Sequence, residues 1–138
     1  MAAGILKELL KSDGREDVRV DSAGTFGCEG EPAAPLAIRV CLEDGIDISD
    51  HIAKKVEKNL IRESNLIVVM EEIHYREVLR ICPEVEDKTL LLATCNGEGN
   101  SPSIRDPFGS GLREYRECYE RIKKYVETLY ERVIKAKC

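Results

Sequence analysis

The chain has 138 residues, 34% of them charged and 43% hydrophobic, with a net charge of −5. That length suits one ordinary domain, and the composition suits a globular chain rather than a disordered one. The acidic excess argues against general nucleic-acid or anionic-membrane binding, no apolar run approaches the roughly 20 residues that span a bilayer, and no secretory signal is visible; a cytoplasmic protein with neither kind of partner is expected.

Residues 1–10 read as a helix without an N-cap, with Ala2, Ala3, Ile5, Leu6, Leu9 and Leu10 on one wide apolar face. Ser12-Asp13-Gly14 ends it. A short strand is predicted at 18–21, stopping at Ser22-Ala23-Gly24. A Gly-rich stretch follows, and Pro32 and Pro35 frame a helix over about 33–43 that Asp44-Gly45 ends. Residues 56–61 form a modest helix. Asn65-Leu66-Ile67-Val68-Val69-Met70 is the clearest strand, a continuous apolar run suited to a strand covered on both faces. A helix over 71–81 ends at Pro83, and 89–92 is a second buried strand.

The polar loop 94–103 leads to Ile104-Arg105-Asp106-Pro107-Phe108-Gly109, and a final helix runs from about 110 to 135. Its apolar stripe is Leu112, Tyr115, Tyr119, Ile122, Val126, Leu129 and Val133. Strands alternating with helices predict an α/β fold with a doubly wound parallel sheet. Its ligand edge lies at the carboxyl ends of the strands, where loops begin at Ser22, Met70 and Ala93. Asp106 belongs to the third of these loops. An Asp held ahead of a Pro there suits a general acid, and it equally suits a helix cap or turn.

The six cysteines, Cys28, Cys41, Cys82, Cys95, Cys118 and Cys138, form no Cys-x-x-Cys pair, and His51 and His74 lie far from them in sequence. No zinc site and no organic cofactor are expected, and several cysteines should be small core residues, Cys41 among them.

Four segments in order resemble the low-molecular-weight protein tyrosine phosphatase family across nearly the whole chain. They are Val20-Asp21-Ser22-Ala23-Gly24, His51-Ile52-Ala53 after Gly45-Ile46, the strand ending in Met70, and Asp106-Pro107-Phe108-Gly109. The opening Met1-Ala2-Ala3-Gly4-Ile5-Leu6 also matches, but at a point inside the family's first helix. Family members place a central strand and a Cys-x5-Arg-Ser phosphate loop before that point. None of these 138 residues supplies the pattern: the sixth position after each non-terminal cysteine is Ala34, Asp47, Lys88, Ser101 or Lys124. The run from Cys95 to Pro102 has a loop-like composition but lacks the Arg and carries Glu98.

The resemblance implies a three-layer fold with strand order 2-1-3-4, of which the first central strand is missing here. The sheet is then expected to rearrange, with 18–21 moving beside 66–70, or to be completed by another chain through strand pairing or swapping, giving a homo-oligomer. It also implies hydrolysis of phosphomonoesters on phosphorylated protein side chains. That chemistry needs a thiolate nucleophile, a cradle of backbone N–H groups and a bidentate Arg, and an acid for the leaving oxygen. The family pattern places the acid at Asp106 and supports of the phosphate loop at Ser22 and His51; the plainer readings are a turn Ser and an exposed loop His. His74 and Arg105 are expected on solvated surfaces, and Tyr115, Tyr119 and Tyr125 in packing or on the surface. Without nucleophile and Arg, the chain as written is expected to be inactive. Three accounts stay open: a start assigned at an internal Met, a degenerate homologue acting as an oligomeric interaction module, or completion by a second chain. Arsenate reduction on the same fold would need cysteines closer together than Cys82 and Cys95.

Overall fold

The computed structural model describes residues 1–24, 29–96 and 103–135. Its elements are helix α1 (Ala2–Ser12), α2 (Pro35–Glu43), α3 (Lys58–Glu63), strand β1 (Ile67–Val69), α4 (Glu72–Ile81), a 3-10 turn (Pro83–Lys88), strand β2 (Thr89–Leu91), a second 3-10 turn (Leu92–Asn96), and α5 (Leu112–Leu129), which runs on into one wider π turn (Tyr130–Ile134).

Strands β1 and β2 pair in parallel, Ile67 beside Thr89, Val68 beside Leu90 and Val69 beside Leu91. Parallel neighbours need a crossover, and α4 supplies it. The pleat sorts the side chains. Leu66, Val68, Met70 and Leu90 pack into a core shared with α1, α2 and α5. Ile67, Val69 and Leu91 face the opposite way, into a core built with Ile61, Val78, Cys82 and Val85. The sheet is thus covered on both faces, as the unbroken apolar run 65–70 predicts.

Two helix ends fold by the same local rule. Asp13-Gly14 closes α1, with the Gly14 N–H donating to Lys11 O at 3.1 Å and the Arg15 N–H to Leu10 O at 2.8 Å. Asp44-Gly45 closes α2, with Gly45 donating to Leu42 O at 2.9 Å and Ile46 to Cys41 O at 2.9 Å. Gly14 and Gly45 hold φ of 66° and 78°, where a Cβ would be strained. Helix α5 then ties both ends down. The hydroxyl of Tyr130 donates to Asp13 and that of Tyr119 to Asp44, while Lys123 pairs with Asp44 at 2.8 Å. Tyr115, Tyr119, Ile122, Val126 and Leu129 form the buried stripe, joined by Tyr125 and Tyr130. Each apolar side chain so buried contributes on the order of 1.5–3 kcal/mol. Cys41 and Cys82 are fully buried and serve as small core residues.

The predicted strand at 18–21 does not form. Residues 18–23 carry no regular structure apart from the approach to a bridge at Gly24, and β1 pairs with β2 alone among the described residues. The expected shift of 18–21 to the side of 66–70 is therefore not seen in this chain. Val18 and Val20 are half-buried and alternate with exposed Arg19 and Asp21, so the side-chain pattern of a strand is present. Among the described backbone hydrogen bonds none belongs to residues 18–21. Val18 and Val20 line a groove of about 390 Å³ with Leu10, Lys7 and Lys11 of α1. β-branched side chains make a strand only against a neighbour, and none of the described residues pairs with this segment as a strand. Elsewhere the predicted boundaries shift by about two residues: α1 runs on to Ser12, α2 starts at Pro35, α3 lies later at Lys58–Glu63, and α5 begins at Leu112. The segment 97–102 lies outside the described residues, and with it most of the predicted polar loop and of the run from Cys95 to Pro102.

Gly4 sits where α1 crosses the chain after α2. A Cβ there would stand 2.7 Å from Ile48 Cγ2 and 3.3 Å from Ile46 Cγ2, and both side chains are buried. Alanine gains about 1 kcal/mol of helix propensity over glycine, but overpacking a closed core costs about 1–3 kcal/mol. Gly4→Ala should therefore lower stability, by about 1 kcal/mol or more in urea unfolding; a stabilised variant would show that the contact relaxes freely.

Candidate active site

The carboxyl end of β1 organises the loop that carries Asp106. The Met70 carbonyl accepts the Ile104 N–H at 2.7 Å, and the Ile104 side chain is buried in the core. Next to it, Ser103 Oγ accepts the Glu72 N–H at 3.0 Å, and Glu71 Oε1 accepts the Asp106 N–H at 3.1 Å. Three bonds thus hold 103–106 against the junction of β1 and α4.

The Asp106 carboxylate closes a turn by accepting the Phe108 N–H at 3.0 Å. The Ser110 N–H then donates to Pro107 O at 2.8 Å, and Gly109 takes φ 85°. Asp106 does not cap α5, whose N-cap is Gly111 with no side-chain bond. Of the two local readings open from the sequence, the turn is realised and the helix cap is not. The carboxylate remains solvent-exposed, as do Arg105 and the Phe108 side chain, the latter 78% exposed.

The first turn of α1 lies in the same electrostatic neighbourhood. The charge state of the Met1 amine responds to Cys41, Cys118 and Asp106, and burial lowers its pKa. Cys118, whose Sγ lies 3.8 Å from Arg105 O, is pushed up chiefly by burial and next by Asp106. Tyr115 is raised by burial and by the same aspartate. Burial also raises Cys41. Both cysteines are therefore held as thiols, which disfavours either as a thiolate nucleophile.

Ser22 and His51 lie on two paired segments. The Gly24 N–H donates to Lys54 O at 2.9 Å and the Val56 N–H to Gly24 O at 3.0 Å. Lys54 also pairs with Asp21, whose Oδ1 accepts the Ser22 N–H at 3.0 Å. Asp21 in turn acts on the half-buried His51, so the two predicted residues share one carboxylate neighbour. No described hydrogen bond joins either of them to Asp106. His74 is half-buried on α4. Sequence reading missed Glu71 and Ser103. The only signal was a carboxylate directly after the apolar run, and its partner is 35 residues away.

Among the described residues no group of three or more His, Cys, Asp or Glu side chains is placed to hold a metal ion. No helix among them is long and apolar enough to cross a membrane.

The family model for low molecular weight phosphotyrosine protein phosphatase matches residues 1–138. The chain belongs to this family. It is 31% identical over 133 residues to the probable low molecular weight protein-tyrosine-phosphatase EpsP of Ralstonia nicotianae, a match covering 96% of this chain and 86% of that one. It is 29% identical to the low molecular weight protein-tyrosine-phosphatase Wzb of Escherichia coli K12, over 78% of this chain and 71% of the relative. The crystal structure of the low molecular weight protein tyrosine phosphatase from T. tengcongensis superposes with a TM-score of 0.86 at 32% identity, covering 96% of this chain and 88% of that one. The YwlE arginine phosphatase from Geobacillus stearothermophilus gives 0.85 at 28% identity, over 99% and 84%. The α/β architecture with its parallel strands is that of these low molecular weight phosphatases.

His51 offers a test of the surroundings. Its pKa is held below the ordinary 6.5, first by burial and then by the Met1 amine and Lys7, with Asp21 and Asp50 pulling the other way. A depressed value means that the unfolded chain binds the proton more readily. The contribution to stability is complete above the ordinary value and is lost as pH falls through the folded one. The urea midpoint should therefore drop as pH falls below about 6.5, starting above ordinary carboxylate titration. His51→Gln should flatten this slope; an unchanged slope would place the effect elsewhere.

Proposed function

We propose that this domain serves hydrolysis of phosphomonoesters on protein side chains, with Asp106 as the acid that protonates the leaving oxygen. The observation that carries the reading is the anchoring of the Asp106 loop at the carboxyl end of β1. It leaves an exposed carboxylate in the same neighbourhood as the first turn of α1. The reaction needs a thiolate whose sulfur bonds phosphorus while the ester oxygen leaves with a proton from Asp106; water then cleaves the thiophosphate. No Cys-x5-Arg occurs in these residues, and Cys41 and Cys118 are held as thiols. We therefore read the nucleophile and phosphate cradle as coming from outside the 138 residues, and the chain alone as silent. Ser22 and His51, flanking Asp21, would support that cradle. The relatives include proteins named for tyrosine and for arginine phosphatase activity, and the substrate side chain follows from the loop this sequence does not contain.

A second reading rests on the sheet. With β1 paired to β2 alone among the described residues and 18–21 unpaired, strand pairing or swapping between two copies would complete it. The chain would then act as an oligomeric module. Sedimentation separates the two: a monomer at micromolar concentration removes this reading.

The phosphatase reading is tested with p-nitrophenyl phosphate. The chain alone should give no turnover above buffer. Adding a peptide that carries an apolar strand followed by Cys-x5-Arg-Ser should restore it, and Asp106→Ala should then lower the restored rate by about 10²–10⁴-fold. Turnover by the chain alone that Asp106→Ala abolishes would overturn the claim of silence, and a restored rate indifferent to Asp106 would overturn its role as the acid.

A further inference from the structure

Helix α4 starts in an unusual way. Glu71 is its N-cap residue, with extended backbone at ψ 156°, yet its carboxylate makes no bond to the helix's own first turn. A side-chain oxygen at this position ordinarily accepts an N–H from N2 or N3. Here it accepts the Asp106 N–H instead, at 3.1 Å, from a residue 35 positions on. The loop answers in kind: Ser103 Oγ accepts the N–H of Glu72, the first residue of α4, at 3.0 Å. In a capping box two residues of one helix start exchange a side-chain acceptor for each other's N–H. The same exchange is made here between a helix start and a distant loop. The adjoining bond from Ile104 N–H to Met70 O, 2.7 Å, fixes the register between them.

We propose that Glu71 is the positioning residue for the acid: its carboxylate, set by the start of α4, fixes the Asp106 backbone and thereby the direction of the Asp106 side chain. Two features support the assignment. Negative charge is favoured at a helix N-terminus, so Glu71 is held there by α4 as well as by the loop. Charge-assisted bonds from N–H to carboxylate are also stronger than neutral ones. Downstream, the described bond to the Asp106 carboxylate is the one from the Phe108 N–H, 3.0 Å. The backbone hold and the side-chain hold therefore act in series. The titratable groups coupled to this carboxylate come from two elements: the Met1 amine at α1, and Cys118 and Tyr115 on α5. None of them is described as bonding the Asp106 backbone, which leaves that task to Glu71.

This inference rests on the reading of Asp106 as the acid, but its test uses no phosphate ester, so the two can fail separately. Amide spectra of the full chain are recorded for the wild type, Glu71→Gln and Glu71→Ala across the carboxylate range of pH. The Phe108 amide reports the Asp106 carboxylate, because its shift moves as the group it bonds ionises. Glutamine keeps an oxygen acceptor, so it should retain Asp106 amide protection and most of the Phe108 movement. Alanine should speed Asp106 amide exchange roughly tenfold and at least halve the Phe108 movement, with β1, β2 and α4 amides unchanged. The proposal is overturned if alanine leaves both signals as in the wild type. It is equally overturned if glutamine behaves as alanine, or if the loss of Phe108 movement comes only with fraying of the whole of α4, since Glu71 would then be an ordinary helix-start residue.

Discussion

The structure depends on one short strand having to be apolar on both sides. Residues 66–70 send Leu66, Val68 and Met70 into one core and Ile67 and Val69 into the other. A strand so placed cannot slip by one residue without exchanging its two sets of side chains between differently shaped cores. That fixes where it ends, and the end is what matters chemically. The Met70 carbonyl follows directly on β1, and the Asp106 loop docks on it through Ile104. The buried Ile104 side chain makes the docking part of the core and not a surface contact.

The second constraint is set by α5. Its tyrosines reach the aspartates of the two Asp-Gly helix ends, Tyr130 to Asp13 and Tyr119 to Asp44. Lys123 and then Tyr119 hold the Asp44 carboxyl below its usual range, while burial and then Asp44 push the Tyr119 hydroxyl up. Each shift favours the form that keeps the bond: an ionised Asp and a neutral phenol. Asp44 and Lys123 are partly open to solvent, so the electrostatic share is screened. The larger effect is geometric, because α1 and α2 are each anchored at their carboxyl ends to one long helix. The start of α1 is thereby set beside the Asp106 loop, which enters that same helix.

Much of this was legible in the sequence because local rules decide it. Asp13-Gly14 and Asp44-Gly45 stop helices through bonds that span five residues or fewer. The α5 stripe follows from spacing alone, and the unbroken run 65–70 told of a strand with two covered faces. Tyr125 and Tyr130 joined the buried set beyond the predicted stripe, since the core that α5 meets is wider than one line of side chains. Glu71 and Ser103 could not be read, because the exchange of acceptors between them and the Asp106 loop joins positions more than 30 residues apart. Residues 18–21 show the opposite failure. Val18 and Val20 alternate as strand residues should, and the half-buried pattern survives in the fold. Yet ladder hydrogen bonds belong to a pair of segments, and a single segment's sequence cannot supply the second.

The same distinction separates what local contacts can build from what they cannot. A fixed, exposed carboxylate needs only local turn chemistry and one tertiary clamp, and Asp106 has both. An anion cradle needs several backbone N–H groups converging on one point together with a cation fixed in two directions. A contiguous loop at a helix start supplies such convergence readily. Helix α1 illustrates the gap: it begins at Ala2 with no capping side chain, near Asp106, Cys118 and Cys41, yet both thiols are pushed toward the neutral form by the very burial that brings them close. Burial places sulfur near Asp106 but raises its pKa, whereas activating a thiol requires donors and positive charge around it. Placing a carboxylate and activating a thiol are thus separable physical problems, and the Asp106 loop is built by the contacts that the first requires.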